Sequence, residues 1–143
     1  MLAPRSPHDD GGPTLKLYYS PGACSLSPHI VLRELGCRSS PWLASTKTHK
    51  LADGTDYYTI NPKGYVPLLE LDDGQRLSEG PAILQIPGRP GARQNLVAAP
   101  RTMPRYRQIE WLNFISTELH KSYSPLFNPG DARRGARRCI ATR

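Results

Sequence analysis

The sequence predicts an α/β fold, in which a mixed β-sheet lies between helices, followed by a separate helical segment. The first observation is the order of the apolar patterns: a strand and a helix, a second strand, and then a hairpin and a further helix. The second is a run of prolines and glycines over residues 86–93, which no helix continues through. The third is a helical pattern that resumes at residues 103–123. These observations predict a sheet domain first and a helix after it.

The first strand and helix are the best-defined elements. Residues 17–19 form a short strand, and a turn at residues 20–23 follows. Apolar residues at helical spacing then indicate a helix that ends at Gly36. Its expected inward-facing residues are Leu26, Ile30, Val31 and Leu35. Pro28 fits only the first turn of this helix, where its missing N–H costs no hydrogen bond.

Cys24 is expected at the mouth of this helix. Unpaired N–H groups and the positive end of the helix dipole converge there, which favours the thiolate over the thiol. A strand, a tight turn and a thiol at a helix start therefore make Cys24 a candidate nucleophile or thiolate-binding group. The alternative is a small apolar residue that fills the corner between strand and helix, since free cysteine is among the most buried residue types. Position alone does not decide between the two.

The remaining elements complete a thioredoxin-like order. Residues 40–44 form a second strand, and residues 57–60 form a short helix or an irregular segment. Two extended segments around an Asp-Asp-Gly turn form a hairpin over residues 66–77. Ser78 then opens a helix as its N-cap, with Pro81 tolerated in the first turn. The order βα, βα, ββα is typical of a thioredoxin-like module, with helices on both faces of a mixed sheet.

The formal charge of +7 is unevenly distributed along the chain. Residues 14–79 carry seven basic and seven acidic side chains, whereas residues 80–143 carry eleven basic and three acidic ones. A nucleic-acid surface usually interleaves basic residues with aromatic ones on a folded scaffold. Here most of the arginines lie among Pro, Gly and Ala. We therefore expect no nucleic-acid partner, and a basic nucleic-acid-binding protein ranks last among the functions considered.

The cysteines and the apolar runs bear on the compartment. Cys24, Cys37 and Cys139 are too far apart in the sequence for a disulfide framework or a zinc-site spacing. The N-terminus carries no apolar signal stretch, and no run approaches transmembrane length. We therefore expect a reduced, cytoplasmic protein with no metal and no membrane partner. Residues 1–14 are expected to be a disordered extension.

Four blocks of this sequence resemble the bacterial beta class of the glutathione S-transferases. The blocks are Leu17 to Gly36, Asn61 to Pro67, Leu77 to Ile83 and Glu110 to Phe127. The resemblance implies a thioredoxin-like domain followed by an all-helical domain, in a cytosolic homodimer. It also implies a transferase of detoxification that joins glutathione, its co-substrate, to a hydrophobic electrophile without a further cofactor. Thiol–disulfide exchange often accompanies this activity in the class.

The resemblance assigns the centre of a glutathione site to named residues. It implies that Cys24 lies beside the glutathione sulfur, where this class forms a mixed disulfide, and that Ser25 adds a hydroxyl donor. It also identifies Val66-Pro67 as the family's cis-proline step, which lets Val66 pair with the cysteinyl backbone of glutathione. Without the resemblance, Pro67 would simply begin an edge strand.

Two further residues match the γ-glutamyl site of the class. Ser78 and Glu79 stand where a helix N-terminus holds the γ-glutamyl carboxylate, and Glu79 accepts from the α-ammonium group. Ordinary helix capping is the alternative, and both can hold together.

The glycyl end of glutathione and the sulfur have candidate partners later in the chain. His120 and Lys121 match the pair that this class brings toward the sulfur and the glycyl carboxylate. A lone histidine on a helix is more often a surface residue or a satisfied core residue. Where the class has a lysine for the glycyl end, this chain has His49, a weaker carboxylate partner, and Lys50 beside it is the candidate replacement.

The resemblance fails in two segments, and we expect an incomplete helical domain. With suitable codons, residues 86–94 and 131–143 can be read in shifted frames as helix-forming strings, so we hypothesise frameshifts, the last of which ends the chain early. The expected function is a glutathione transferase-like protein acting through Cys24, and the alternative is a non-catalytic glutathione-binding fragment. The predicted division is an extension at 1–14, a glutathione-binding domain at 15–86, a linker at 87–102 and a helical remnant at 103–143.

Overall fold

The computed structural model describes residues 14–86 and 96–127. The chain divides into two compact units between Ala98 and Ala99. The first unit contains the sheet, and the described elements of the second are helical. Within the described residues, no helix is both long enough and apolar enough to cross a membrane.

The first unit is built around a four-stranded mixed sheet. Its elements are β1 (Leu15–Tyr19), α1 (Leu26–Glu34), β2 (Ser39–Leu43), a 3-10 turn (Tyr57–Thr59), β3 (Leu68–Glu70), β4 (Arg76–Ser78) and α2 (Gly80–Ile83). The strands lie in the order β2-β1-β3-β4, with β1 and β2 parallel and the other two pairs antiparallel. This arrangement confirms the predicted α/β, thioredoxin-like module.

Apolar side chains cover both faces of the sheet, because successive residues of a strand point to opposite sides. On one face, Leu17 of β1 packs with Leu32 of α1 and Ile83 of α2. On the other, Tyr18 packs with Tyr57 of the 3-10 turn. Leu17 and Tyr57 are completely buried. The sheet is therefore held between two cores.

The buried side of α1 differs in part from the predicted one, since Leu35 is buried as expected but Leu26 and Ile30 are exposed. Pro28, Leu32 and the C-cap residue Leu35 are buried, whereas Leu26 is 59% exposed and Ile30 is 51% exposed. The buried positions are four and three residues apart, which places them on one helical face, and Leu26 and Ile30 lie on another. Because apolar residues occupy both faces, periodicity alone did not identify the one that meets the sheet.

The prediction that Ser78 caps the helix after the hairpin is wrong. Ser78 is the last residue of β4 and pairs with Leu68, which keeps its backbone extended. The N-cap of α2 is Glu79, whose φ is 72° and whose side chain makes no capping hydrogen bond. Because α2 has only four residues, its dipole is small.

The described part of the second unit consists of helical segments that follow one another in sequence. They are α3 (Met103–Phe114), a π-helical turn (Ile115–Leu119), α4 (His120–Ser122) and α5 (Ser124–Phe127). None of residues 99–126 is buried. Of the apolar positions that the sequence marked in this segment, Leu112 is half-buried, and the exposed ones are Ile109, Phe114, Ile115 and Leu119. The described part of this unit therefore contains no core of its own.

Some predictions concern residues outside the described part of the chain. Most of the extension at 1–14, residues 87–95 of the linker and the tail beyond residue 127 lie there. The two hypothesised frameshift segments also lie there, apart from residue 86. The domain boundaries and the frameshifts therefore stay predictions.

Glu70 joins three strands of the sheet through its carboxylate. It accepts from Lys16 Nζ of β1 at 2.8 Å and from Arg76 Nε of β4 at 2.9 Å. The Glu70 side chain is 11% exposed, whereas those of Lys16 and Arg76 are 43% and 42% exposed. The hydrogen bond from Lys16, aided by the one from Arg76, lowers the pKa of the Glu70 carboxyl despite its burial.

We expect Glu70→Gln to lower the free energy of unfolding at neutral pH by about 1–2 kcal/mol, because it weakens two charge-assisted hydrogen bonds to half-solvated partners. The folded-state pKa of Glu70 is lowered. Its stabilisation is therefore fully present above the unfolded pKa of glutamate, about 4.3, and is lost as the pH falls through the folded value. Urea unfolding at neutral pH and near about pH 3 measures the difference between the two proteins.

The matched control is Asp72→Asn, at the exposed turn of the hairpin. It should change stability little at either pH. A difference between Glu70→Gln and the parent protein that stays constant over this pH range would contradict the role given to the carboxylate.

Candidate functional site

Cys24 lies in the loop that connects β1 to α1. The loop turns after Ser20, whose carbonyl accepts from the Ala23 N–H at 3.2 Å, and α1 begins two residues after Cys24. Ala23 packs against the core that contains Tyr18, while Cys24 itself is exposed. The loop is thus anchored next to the thiol and presents it beyond the carboxyl end of β1.

The Cys24 sulfur lies against the backbone that leads into β3. The thiol donates to the Val66 carbonyl at 3.2 Å, although 42 positions separate the two in sequence. The peptide bond between Val66 and Pro67 is cis, as the resemblance implied, and both residues are buried. No described residue accepts from the Val66 N–H. The fold therefore brings together three of the residues that the sequence marked as a site.

Partial burial is the largest influence on the Cys24 thiol, and it raises the pKa. The Glu79 carboxylate raises this pKa as well, while the backbone N–H of Cys24 lowers it. The predicted effect of the helix start is therefore present in the free protein, but burial outweighs it and the pKa of the thiol is raised. The hydrogen bond to Val66 agrees with this, because only the protonated sulfur can donate to a carbonyl.

The Ser25 side chain stabilises the loop between β1 and α1 through hydrogen bonds to the Ser20 backbone. The residue is completely buried, and its hydroxyl donates to the Ser20 carbonyl at 3.2 Å and accepts from the Ser20 N–H at 3.1 Å. Ser25 is also the N-cap of α1, but its side chain makes no capping hydrogen bond. The hydroxyl predicted to face a ligand is thus occupied inside the turn, and Ser25 positions its neighbour Cys24.

Ser78 ends β4, the strand that pairs with β3, and Glu79 follows it directly. Ser78 stands opposite Leu68, which is two residues after Val66. Glu79 is exposed, and its charge reaches the Cys24 sulfur strongly enough to raise the thiol pKa. An accessible carboxylate therefore accompanies the thiol and the Val66 backbone. The ligand contacts assigned to Ser78 and Glu79 stay predictions.

The two candidates for the glycyl end of a ligand differ in their surroundings. The His49 ring stacks on Tyr58 with the ring centroids 4.6 Å apart, and its buried Nδ1 has no partner among the described residues. Gly64 leaves room for this ring, since a Cβ there would lie 2.9 Å from Nδ1. Lys50 is exposed, and its backbone forms a bridge with that of Asp56. His49 thus has a packing role, and Lys50 carries the exposed charge.

His120 and Lys121 belong to the second unit. They begin α4, directly after the π-helical turn, and both are exposed. Within that turn, Ser116 and Thr117 hydroxyls donate to the Asn113 carbonyl at 3.0 Å each. The roles assigned to His120 and Lys121 stay predictions.

A shallow cleft at the ends of β1 and β2 is a feature that the sequence analysis missed. Its volume is about 290 Å³, and its lining residues are Tyr19, Pro41, Trp42, Leu43, Leu51, Ala52 and Asp53. The available signal in the sequence was Trp42, a large aromatic residue in the predicted second strand. The structure shows that it is exposed, and large exposed aromatic residues often border binding surfaces. Within residues 14–86 and 96–127, no group of three His, Cys, Asp or Glu side chains could hold a metal ion.

The chain is similar to known glutathione S-transferases. It is 48% identical over 115 residues to glutathione S-transferase GstA of Escherichia coli O157:H7, which covers 80% of this chain and 57% of that protein. It is 50% identical to a glutathione transferase of known structure from Methylococcus capsulatus, with a TM-score of 0.75 and the same coverage of both chains. A sphingomonad glutathione S-transferase solved in complex with glutathione is 43% identical, with a TM-score of 0.72.

These matches cover only part of the similar proteins. The chain spans about 57% of the length of GstA and of the two solved transferases. No family model matches the sequence.

We expect Ser25→Ala to lower the free energy of unfolding by about 1–3 kcal/mol, because it removes both hydrogen bonds between the completely buried Ser25 hydroxyl and the Ser20 backbone. Thermal or urea unfolding measures the change. The matched control is Ser27→Ala, an exposed serine in the first turn of α1, which should change stability by less than about 0.5 kcal/mol. Equal effects of the two substitutions would contradict the role given to the Ser25 hydroxyl.

Proposed function

Because the chain belongs to the beta-class glutathione S-transferases of bacteria, we propose that its first unit binds glutathione and presents the glutathione sulfur to an electrophile. The observation that carries the proposal is the meeting of Cys24, the Val66 backbone and the Glu79 charge at one place. A thiol, a free main-chain edge and an accessible carboxylate are what a γ-glutamyl-cysteinyl peptide can use. The sphingomonad relative that was solved with glutathione supports the choice of ligand.

The proposed binding mode uses the backbone first. An extended peptide can donate a main-chain N–H to the Val66 carbonyl and accept from the Val66 N–H, as a strand added to an edge does. Its α-ammonium group pairs with Glu79, and Ser78 borders the γ-glutamyl group. Lys50 supplies a cation for the glycyl carboxylate in place of His49. Each of these contacts is part of the proposal.

The proposed reaction has two forms. In conjugation, the glutathione thiolate attacks the electrophile, a sulfur–carbon bond forms, and the leaving group departs with its electron pair. In exchange, the Cys24 thiolate attacks one sulfur of glutathione disulfide, forms a mixed disulfide and releases one glutathione thiolate. His120 and Lys121 assist the sulfur and the glycyl carboxylate in this proposal, on the strength of the resemblance alone.

The alternatives separate in a direct experiment. The comparisons favour neither the non-catalytic glutathione-binding protein nor the basic nucleic-acid-binding protein, since the similar proteins are glutathione S-transferases. Retention on a glutathione column with conjugation of chlorodinitrobenzene supports the transferase. Retention without conjugation supports the non-catalytic binder. Loss of both, with no rise in melting temperature in excess glutathione, overturns the proposal, because a ligand that prefers the folded state must stabilise it.

We expect Cys24→Ala to abolish exchange while leaving glutathione binding in place, because the backbone of residue 66 and the Glu79 carboxylate are unchanged. Incubated with glutathione disulfide, the parent protein should gain the mass of one glutathione, and the variant should gain none. Both should show a rise in melting temperature with glutathione. Cys37→Ser is the matched control and should still gain the mass. Equal mass gain in the parent protein and Cys24→Ala would show that another cysteine carries the exchange.

A further inference from the structure

Besides partial burial, which has the largest effect on the pKa of Cys24, two features of the free protein favour the protonated form of its sulfur. The thiol donates to the Val66 carbonyl, and a thiolate in its place would face the negative end of the carbonyl dipole. Among the described charged groups, Glu79 acts on Cys24, and its carboxylate opposes a second negative charge nearby. Offsetting these two features favours the thiolate, which is the nucleophilic form of the sulfur.

We propose that the ligand offsets both features, so that an extended peptide with a free α-ammonium group increases the fraction of Cys24 that is present as the thiolate. The peptide donates a main-chain N–H to the Val66 carbonyl, and its ammonium group forms an ion pair with Glu79. The inference rests on the proposed function, because the γ-glutamyl peptide of that proposal is the ligand. The substrate then activates the residue that receives it.

Replacement of the Cys24 thiol by a peptide N–H as the donor to the Val66 carbonyl is favourable. A thiol is a weak donor, and a peptide N–H is a stronger one. In the described part of the chain the Val66 carbonyl accepts only from Cys24, and the Val66 N–H donates to nothing. An extended peptide therefore replaces one weak hydrogen bond with two main-chain ones. The thiol loses the acceptor that stabilised its protonated form, so it releases its proton to water more readily.

An ion pair between the ammonium group of the ligand and Glu79 also favours the thiolate. The carboxylate is exposed and makes no described hydrogen bond or ion pair, so an ammonium group can reach it. An ion pair cancels most of the negative potential that Glu79 exerts on a sulfur close by. The backbone N–H of Cys24, which lowers the thiol pKa, then acts with less opposition.

A consequence follows for the free protein. Cys24 is exposed, and an exposed thiolate is the form that oxidants attack. A sulfur that stays protonated until the ligand arrives reacts slowly with oxidants in the absence of the ligand. Thiolate formation is thereby favoured in the complex over the free protein.

The test uses the full chain with Cys37→Ser and Cys139→Ser, so that Cys24 is the only cysteine. Thiolate absorbance in the far ultraviolet is followed against pH, with and without saturating S-methylglutathione, which contributes no thiol of its own. We expect this ligand to lower the apparent pKa of Cys24 by about one unit, a roughly tenfold gain in thiolate at neutral pH. Melting temperature, measured on the same samples, reports binding independently.

Two comparisons separate the effect of the Val66 carbonyl on the Cys24 pKa from the effect of the Glu79 charge. N-acetyl-S-methylglutathione lacks the ammonium group and should lower the Cys24 pKa by less than S-methylglutathione does. In Glu79→Gln the free protein should already have a lower Cys24 pKa, and S-methylglutathione should then cause a smaller further change. Asp72→Asn, which removes an exposed charge from the hairpin turn, should behave as the parent protein does.

The outcomes distinguish the inference from the function on which it rests. A raised melting temperature with an unchanged Cys24 pKa overturns the inference and leaves glutathione binding intact, as would happen if the carbonyl accepted from peptide and thiol together. No rise in melting temperature with S-methylglutathione overturns both. A raised melting temperature with a lowered pKa, reduced by N-acetylation, supports the inference.

Discussion

The antiparallel pairing of β1 with β3 is the constraint on which the candidate site depends. It places Tyr18 opposite Leu68, so β1 ends and β3 begins at the same end of the sheet. The loop that follows β1 contains Cys24, and the segment that precedes β3 contains Val66. Because β4 runs antiparallel to β3, β4 ends at this same end of the sheet, and Glu79 directly follows it. Three segments that are distant in sequence meet through strand pairing alone.

The order of elements could be predicted from the sequence, but the choice of face and the exact capping residue could not. Period-two segments, the Asp-Asp-Gly turn and the breaker residues are local signals, and they predicted the sheet module correctly. The buried face of α1 is decided by what packs against it, and apolar residues occupy two faces. Ser78 has the side chain of an N-cap, yet its pairing with Leu68 holds it in the strand. In both cases tertiary contacts outweighed a local preference.

The contrast between local preference and tertiary contacts also explains the protonation state of Cys24. A helix start favours a thiolate, and the sequence shows only that term. The Val66 carbonyl, the Glu79 charge and the burial of the sulfur all come from residues far away in the chain. Burial and the Glu79 charge raise the pKa of the thiol, and burial has the larger effect. The sequence alone was therefore enough to mark the residue as a candidate, while its resting protonation state required the fold.

The opposite end of the same three strands is held by Glu70. Its carboxylate binds Lys16 of β1 and Arg76 of β4, two residues, or roughly 7 Å, along β3 from Leu68. A slip of one residue between the strands would turn each side chain to the other face and separate these charges. The ion pairs and the two cores therefore select one register, and that register sets where the Cys24 sulfur meets Val66. A substitution that loosens the Glu70 cluster can for this reason alter the thiol without touching any residue of the site.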